Sequence, residues 1–242
     1  MGHGTPDWWG SEPSETTFQV QDVGELAARL GSIDTFDRRG NVVFIDSFES
    51  GCAPYLTDAG RPGSAVVLSA ITARSGAYSC KMTTGAVANA YARVARFQSY
   101  PALSKYGLEV AFTSDDNAVD IQISLNIYDG VNVNTFAVKY LPASDKWQYL
   151  NAAGGWTDLA TGVDLFPHFN HFHVAKLVVD LDLKKYFYFL WDSDEVGMST
   201  IAGHQVASGL SPQIAANIHL HGGAGAAATI YVDDVIITQN EP

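Results

Sequence analysis

The chain has 242 residues, with 14 Lys+Arg against 26 Asp+Glu, giving a formal net charge of −12 from only 17% charged residues. An ordinary soluble domain carries about 25% charged residues. With 47% apolar and 12% aromatic residues this chain has the material for a sizeable core, which excludes a disordered acidic polymer. The acidic balance argues against DNA or RNA as a partner, because affinity for phosphates needs a Lys/Arg surface. A sandwich or barrel of about 200–250 residues is often one domain, so length alone does not require two.

The opening MGHGTPDWWGSEPSETT has no basic region followed by an apolar one, so no secretory signal is expected. No run of about 18 apolar residues occurs, so no membrane-spanning helix is expected either. Trp8 and Trp9 are large apolar groups that a free tail would leave in water. The arm is therefore expected to dock, either on its own domain or on a neighbouring subunit. Asp22 and Glu25 are spaced like a capping box, Val23, Leu26, Ala27 and Leu30 fall at i, i+3, i+4 and i+7, and Gly31 follows. That pattern predicts one short amphipathic helix over 23–30, with Val23, Leu26 and Leu30 as its contact face. Residues 33–36 and 42–48, around Asp37-Arg38-Arg39-Gly40-Asn41, read as a β-hairpin.

From residue 42 onward the pattern is β. In VDIQISLNI, Val119, Ile121, Ile123, Leu125 and Ile127 alternate with Asp120, Gln122, Ser124 and Asn126, a period of two with one buried face. Asp129-Gly130 then suggests a two-residue turn that sets Ile123 against Phe136, Ile121 against Val138, Ser124 against Thr135 and Asp120 against Lys139. Further strands are predicted at 64–69, 77–84, 89–97, 106–114, 146–150, 172–181, 186–191, 214–221 and 228–238. Residues 222–225, Gly-Gly-Ala-Gly, read as a flexible connection before the last of them. The predicted fold is all-β, a two-sheet antiparallel sandwich with an N-terminal arm and one short helix. Residues 1–41 form an attachment segment and 42–242 the sandwich.

Cys52 and Cys80 allow one disulfide or two small core residues, and their spacing fits no zinc knuckle. His171 and His173, like His219 and His221, are i, i+2 pairs that could chelate a transition metal if the pairs met. Ile218 and Leu220 place His219 and His221 on the opposite, outward face. Trp147, Tyr149 and Trp156 around the Gly154-Gly155 turn are the candidate aromatic platform for a glycan, with core or interface packing as the alternative. Asp192, Asp194 and Glu195 form an acidic cluster that reads as a loop or hairpin tip. No GxSxG elbow, Walker A loop or HExxH helix occurs, and no catalytic residue is assigned.

FIDSFESG (44–51), ARSGAYSCKMTTG (73–85) and TIYVDDVIIT (229–238) resemble the first and last strands of carbohydrate-binding-module and concanavalin-like jelly rolls. FHVAKLVVDLDLKKYFYFLWD (172–192) resembles a hairpin of the same sandwiches. The resemblance implies a jelly roll and a structural Ca²⁺ held by Asp46, Glu49 and Asp233, with Asp234 as alternate, stapling first strand to last. The glycanase pattern ExDxxE of concanavalin-like enzymes is absent. The leading segment 17–41, with DVGELAARLGSIDTFDRRG, resembles the one attached to such sandwiches in phage-encoded structural proteins. It implies a non-enzymatic virion protein, a capsid decoration or tail component at the particle surface, with capsid or tail protein and further copies of itself as partners. The alternatives are an extracellular carbohydrate-binding module or adhesin and, third, a glycan hydrolase.

Overall fold

The alternating segments pair into two antiparallel sheets in a computed structural model that describes Asp37, residues 39–99 and residues 103–242. In chain order the strands are β1 (Asn41–Asp46), β2 (Leu56–Gly60), β3 (Ala65–Ser69), β4 (Ser79–Thr83), β5 (Ala90–Ser99), β6 (Lys105–Thr113), β7 (Ala118–Tyr128) and β8 (Asn132–Leu141). A 3-10 turn at Pro142–Ser144 leads to β9 (Lys146–Leu150), β10 (Trp156–Thr161), β11 (Phe172–Asp180), β12 (Lys185–Trp191), β13 (Asp194–Gly197), β14 (His204–Ala207), β15 (Gln213–Gly222) and β16 (Thr229–Gln239). Sheet A runs β13-β12-β11-β6-β16-β4-β3, with β1 also on β16; sheet B runs β10-β9-β8-β7-β15-β5-β2, with β14 also on β8. Strands remote in sequence lie side by side, as in a jelly roll.

The inward positions of both sheets meet in one apolar layer. Trp147, wholly buried, packs edge-on against Phe189 at 4.7 Å between ring centroids. The Tyr186 phenol crosses from β12 to sheet B, where it accepts the Ala137 N–H at 2.9 Å and faces the Leu150 carbonyl at 2.8 Å. Burial raises the Tyr186 phenol above its ordinary range, so it stays a neutral hydroxyl that can serve both contacts.

The predicted hairpin between β7 and β8 forms with a different register. Ile123 lies opposite Val138, Leu125 opposite Phe136 and Gln122 opposite Lys139. The two central turn residues are Gly130 and Val131, because the Asp129 N–H donates to the Asn132 carbonyl at 3.0 Å. Gly130 has φ 92°, the left-handed first position of a type II′ turn. The Asp129 carboxylate accepts the N–H groups of Val131 and Asn132 and thereby fixes that turn. The shift is two residues, an even number, so every side chain stays on its predicted face.

β1 forms the 42–48 half of the predicted hairpin and pairs with β16, Asp46 facing Val235. The other half of that hairpin, 33–36, lies outside the described residues, as do the helix over 23–30, its Val23, Leu26 and Leu30, and the arm with Trp8 and Trp9. Asp192 and Ser193 form the tip of the β12–β13 hairpin, as expected for this acidic cluster, while Asp194 and Glu195 open the short strand β13, where Glu195 pairs with Arg39 at 2.7 Å. Among the described residues no helix is long and apolar enough to cross a membrane.

Candidate functional site

In sheet B the core takes Ile121, Ile123, Leu125, Phe136, Val138, Tyr140, Ile218 and Leu220. Strand alternation therefore turns the intervening residues outward. The registers place seven of them in one transverse line: Asp58 on β2, Arg93 on β5, His219 on β15, Gln122 on β7, Lys139 on β8, Gln148 on β9 and Asp158 on β10. At about 4.8 Å per strand the line is about 29 Å long. All seven are polar. Tyr91, His221 and Asp120 flank it on the same face, one pleat away on their strands.

The ends of the line are paired. Arg93 Nη2 and the Tyr91 hydroxyl both reach Asp58 Oδ2 at 3.2 Å. Asp158 takes Lys146 at 3.0 Å and the Gln148 amide at 2.6 Å, and these contacts hold its carboxyl below the usual range. Beside the centre, Asp120 joins His221 at 2.5 Å and Lys139 at 3.6 Å. The Lys139 ammonium lies 4.3 Å from the Trp156 ring centroid, a cation–π contact that fixes the outward Trp156 beside the line. Gly60 leaves room for Tyr91: a Cβ there would collide with the Tyr91 ring.

The centre differs. His219 and Gln122 make no hydrogen bond among the described residues, although both are half-buried. Burial, then the proximity of His221 and Arg93, pushes the His219 imidazole down to about 3, so it is neutral at ordinary pH. A neutral imidazole and an amide, each with donors and acceptors unspent, thus sit between a guanidinium and an ammonium whose positions are already set.

Sequence reasoning found parts of this face but not the line. The outward direction of His219 and His221 and the polar outer face of 120–126 are as predicted. Arg93, Tyr91, Asp58 and Lys139 carry no local motif. Of the predicted platform, Trp147 is core, as its alternative reading had it, Tyr149 packs against the core, and only Trp156 of the three faces outward beside the line. The parity decides it, since Trp147 and Tyr149 share the buried phase of β9 and Gln148 the outward one.

The histidine pairs do not meet. His173 belongs to β11 of sheet A, where its Nδ1 joins Asp192 at 2.9 Å and its Nε2 faces the Phe166 carbonyl at 3.2 Å. Asp192, partly buried but bonded by His173 and by the Val174 N–H, has its carboxyl lowered.

The residues expected at a calcium site are turned to other partners. Asp233 Oδ2 accepts the N–H groups of Arg74 and Ser75 at 2.7 and 3.1 Å, and its Oδ1 that of Asp234. Asp234 pairs with the Arg74 guanidinium at 2.7 Å and the Ser75 hydroxyl at 2.6 Å. Glu49 accepts the N–H groups of Ala77 and Tyr78. Asp46 accepts the Phe48 N–H and lies near the buried Tyr55 hydroxyl, which is raised by burial first and then by the Asp46 charge. Asp46 Oδ2 is buried without a hydrogen bond, and among the described residues no three His, Cys, Asp or Glu side chains are grouped as metal ligands. Cys52 and Cys80 are free thiols with their sulfurs 3.9 Å apart.

No family model matches the chain. No curated protein matches it either. Solved structures share its fold. An endo-β-1,4-glucuronan lyase from the fungus Trichoderma reesei superposes with a TM-score of 0.58 at 12% identity, over 82% of this chain and 96% of that one. The cellulose-induced protein Cip1 gives 0.54 at 15% identity, over 81% and 96%. A carbohydrate esterase of the Shiga toxin-encoding bacteriophage phi24B gives 0.50 at 14% identity, over 84% and 100%. At such identities the likeness establishes a concanavalin-like jelly-roll sandwich and nothing beyond that fold.

Proposed function

We propose that the protein binds an extended acidic polysaccharide across the outer face of sheet B. The observation that carries this reading is the seven-residue polar line, with Arg93 and Lys139 on either side of an unpaired His219–Gln122 centre. In a chain of net charge −12, this face is balanced: Arg93, Lys139 and Lys146 stand on it beside Asp58, Asp120 and Asp158. Its cations suit sugar carboxylates, while the amides of Gln122 and Gln148 suit hydroxyl groups and Trp156 supplies an apolar face. Structural relatives that include a glucuronan lyase and a phage carbohydrate esterase support a glycan as ligand. A role in particle assembly rests on 1–41, and an anchored sandwich with a glycan groove would serve attachment to a coated surface.

Affinity electrophoresis in gels containing polyglucuronate tests the proposal, with a neutral β-glucan gel as control. The wild type is retarded by the acidic polymer, and Arg93→Ala and Lys139→Ala each weaken retardation at least about tenfold, as expected for loss of a charge-assisted contact. Unretarded wild-type protein, or variants retarded equally, would refute it.

One feature favours eliminative cleavage as a second reading: His219 makes no hydrogen bond among the described residues and stands beside Arg93, with the Tyr91 phenol on the same face. With a uronate carboxylate held by Arg93 and Gln122, its negative charge would raise the basicity of the His219 imidazole, which would take the proton from C5. The released electron pair would form a C4–C5 double bond, the C4–O bond would break, and the leaving oxygen would take a proton from Tyr91. Ultraviolet absorbance of the unsaturated product, lost in His219→Gln, tests this step separately from binding.

A further inference from the structure

A second concavity lies on the outer face of sheet A, remote from the groove. Tyr231 on β16 and Lys81 on β4 are cross-strand neighbours that form its floor. The β6–β7 loop, 114–117, makes one wall, and Phe169 of the β10–β11 connection the other. Its volume of about 610 Å³ falls within the range of small-ligand sites.

Both walls are anchored. Asp115 accepts the Thr229 N–H at 2.6 Å through Oδ2 and the Asn117 N–H at 2.8 Å through Oδ1, which ties the β6–β7 loop to β16. The Tyr140 hydroxyl faces the Val163 carbonyl at 3.0 Å and accepts the Leu165 N–H at 3.1 Å, and His173 holds the Phe166 carbonyl. The stretch leading to Phe169 is therefore pinned at three points.

The polar groups of the cavity, by contrast, are unspent. The side chains of Lys81, Asp116 and Asn117 make no hydrogen bond among the described residues. Ser114 is 4% exposed, lines the cavity and keeps a buried hydroxyl without a partner. A buried hydroxyl in that state implies a water or a ligand group as partner. Phe169 presents its ring at 47% exposure.

From this combination we infer that the cavity binds one neutral sugar residue. Lys81 stands against Asp115 and Asp116, so the lining has one cation and two carboxylates, which disfavours the acidic polymer proposed for sheet B. Asp116 accepts from hydroxyls, Lys81 donates to them and Asn117 does both, while the Phe169 ring packs against the apolar C–H face of a pyranose. The site has room for a terminal residue and is independent of the groove, so one sandwich engages glycans at two faces.

The test is a ¹H–¹⁵N NMR titration of the full chain with the methyl glycosides of glucose, galactose, mannose and N-acetylglucosamine in turn. At least one sugar shifts the Asn117 and Phe169 resonances with a Kd on the order of 1 mM. Asn117→Ala and Phe169→Ala, both at exposed positions, weaken that Kd at least about tenfold, and Asp116→Asn does so while conserving shape. Arg93→Ala leaves it unchanged. The inference is overturned if none of the four sugars shifts these residues, if the cavity variants bind as the wild type does, or if Arg93→Ala abolishes the response, which would place the sugar in the groove. Polyglucuronate retardation tests the groove alone, so either site can fail without the other.

Discussion

Replacing His219 by Gln keeps a polar side chain at the centre of the sheet B line and removes its titration. Burial, His221 and Arg93 hold the imidazole at about 3, against 6.5 for the free side chain. The folded protein therefore keeps His219 neutral while the unfolded chain takes up a proton as pH falls through 6.5. The sign follows: this residue's share of stability is complete above 6.5 and is lost progressively toward 3. At about 1.36 kcal/mol per pH unit, the loss between about pH 7 and about pH 5 is about 2 kcal/mol. Urea denaturation at those two pH values measures it. The wild type should lose about 2 kcal/mol more than the Gln variant across the interval, equivalent to roughly 4–8 °C in Tm for a domain of this size. Other titrating groups are common to both proteins and cancel in the difference. An identical pH dependence of the two would show that His219 titrates in the fold as it does in the unfolded chain, and would refute the burial of its imidazole.

Three further outcomes are expected. Trp147→Ala should cost about 3–5 kcal/mol by opening a core cavity, whereas Trp156→Ala should cost much less and weaken polyglucuronate retardation, as melting curves and affinity gels will show. A mild disulfide-forming oxidant should close the bond between Cys52 and Cys80, whose 28-residue separation predicts about 3–4 kcal/mol of stabilisation in the chain-entropy model; two thiols still titratable after oxidation would count against it. Because Asp233 and Asp234 are met by backbone N–H groups and Arg74, a calcium chelator should leave Tm unchanged, while Arg74→Met should destabilise by about 3–5 kcal/mol by stripping a buried pair. A chelator-induced drop in Tm would restore the cation.

Strand positions were largely readable where a strand buries one face. The nine strands predicted beyond the β7–β8 hairpin all form, with ends displaced by no more than about two residues, a normal margin for such boundaries. The four unpredicted strands are β2, β10, β13 and β14. The first three are sheet edges and the fourth pairs only with β8, so LTDAG, WTDLAT, DEVG and HQVA have little core to cover and little alternation to show. The groove was legible only in pieces for a different reason. His219 lies between Arg93 and Gln122 because β15 inserts between β5 and β7, a pairing of segments about a hundred residues apart that no local period encodes. The turn at 129–132 shows a milder form of the limit: Asp129-Gly130 marks a hairpin, but only the Asp129 carboxylate's capture of two N–H groups determines which residues are central.

The sheet B line takes one residue from each of seven strands, spread between Asp58 and His219. No fragment of the chain contains it, and a slip of a single residue in any one strand would withdraw that strand's contribution to the opposite face. Groove occupancy is therefore a reporter of complete assembly: a ligand there couples to unfolding of the whole sheet and not to the opening of one loop, and its stabilisation should grow with free concentration as RT ln(1 + [L]/Kd). Partly folded chains would be blind to glycan, so recognition would also certify that the molecule doing the recognising has finished folding.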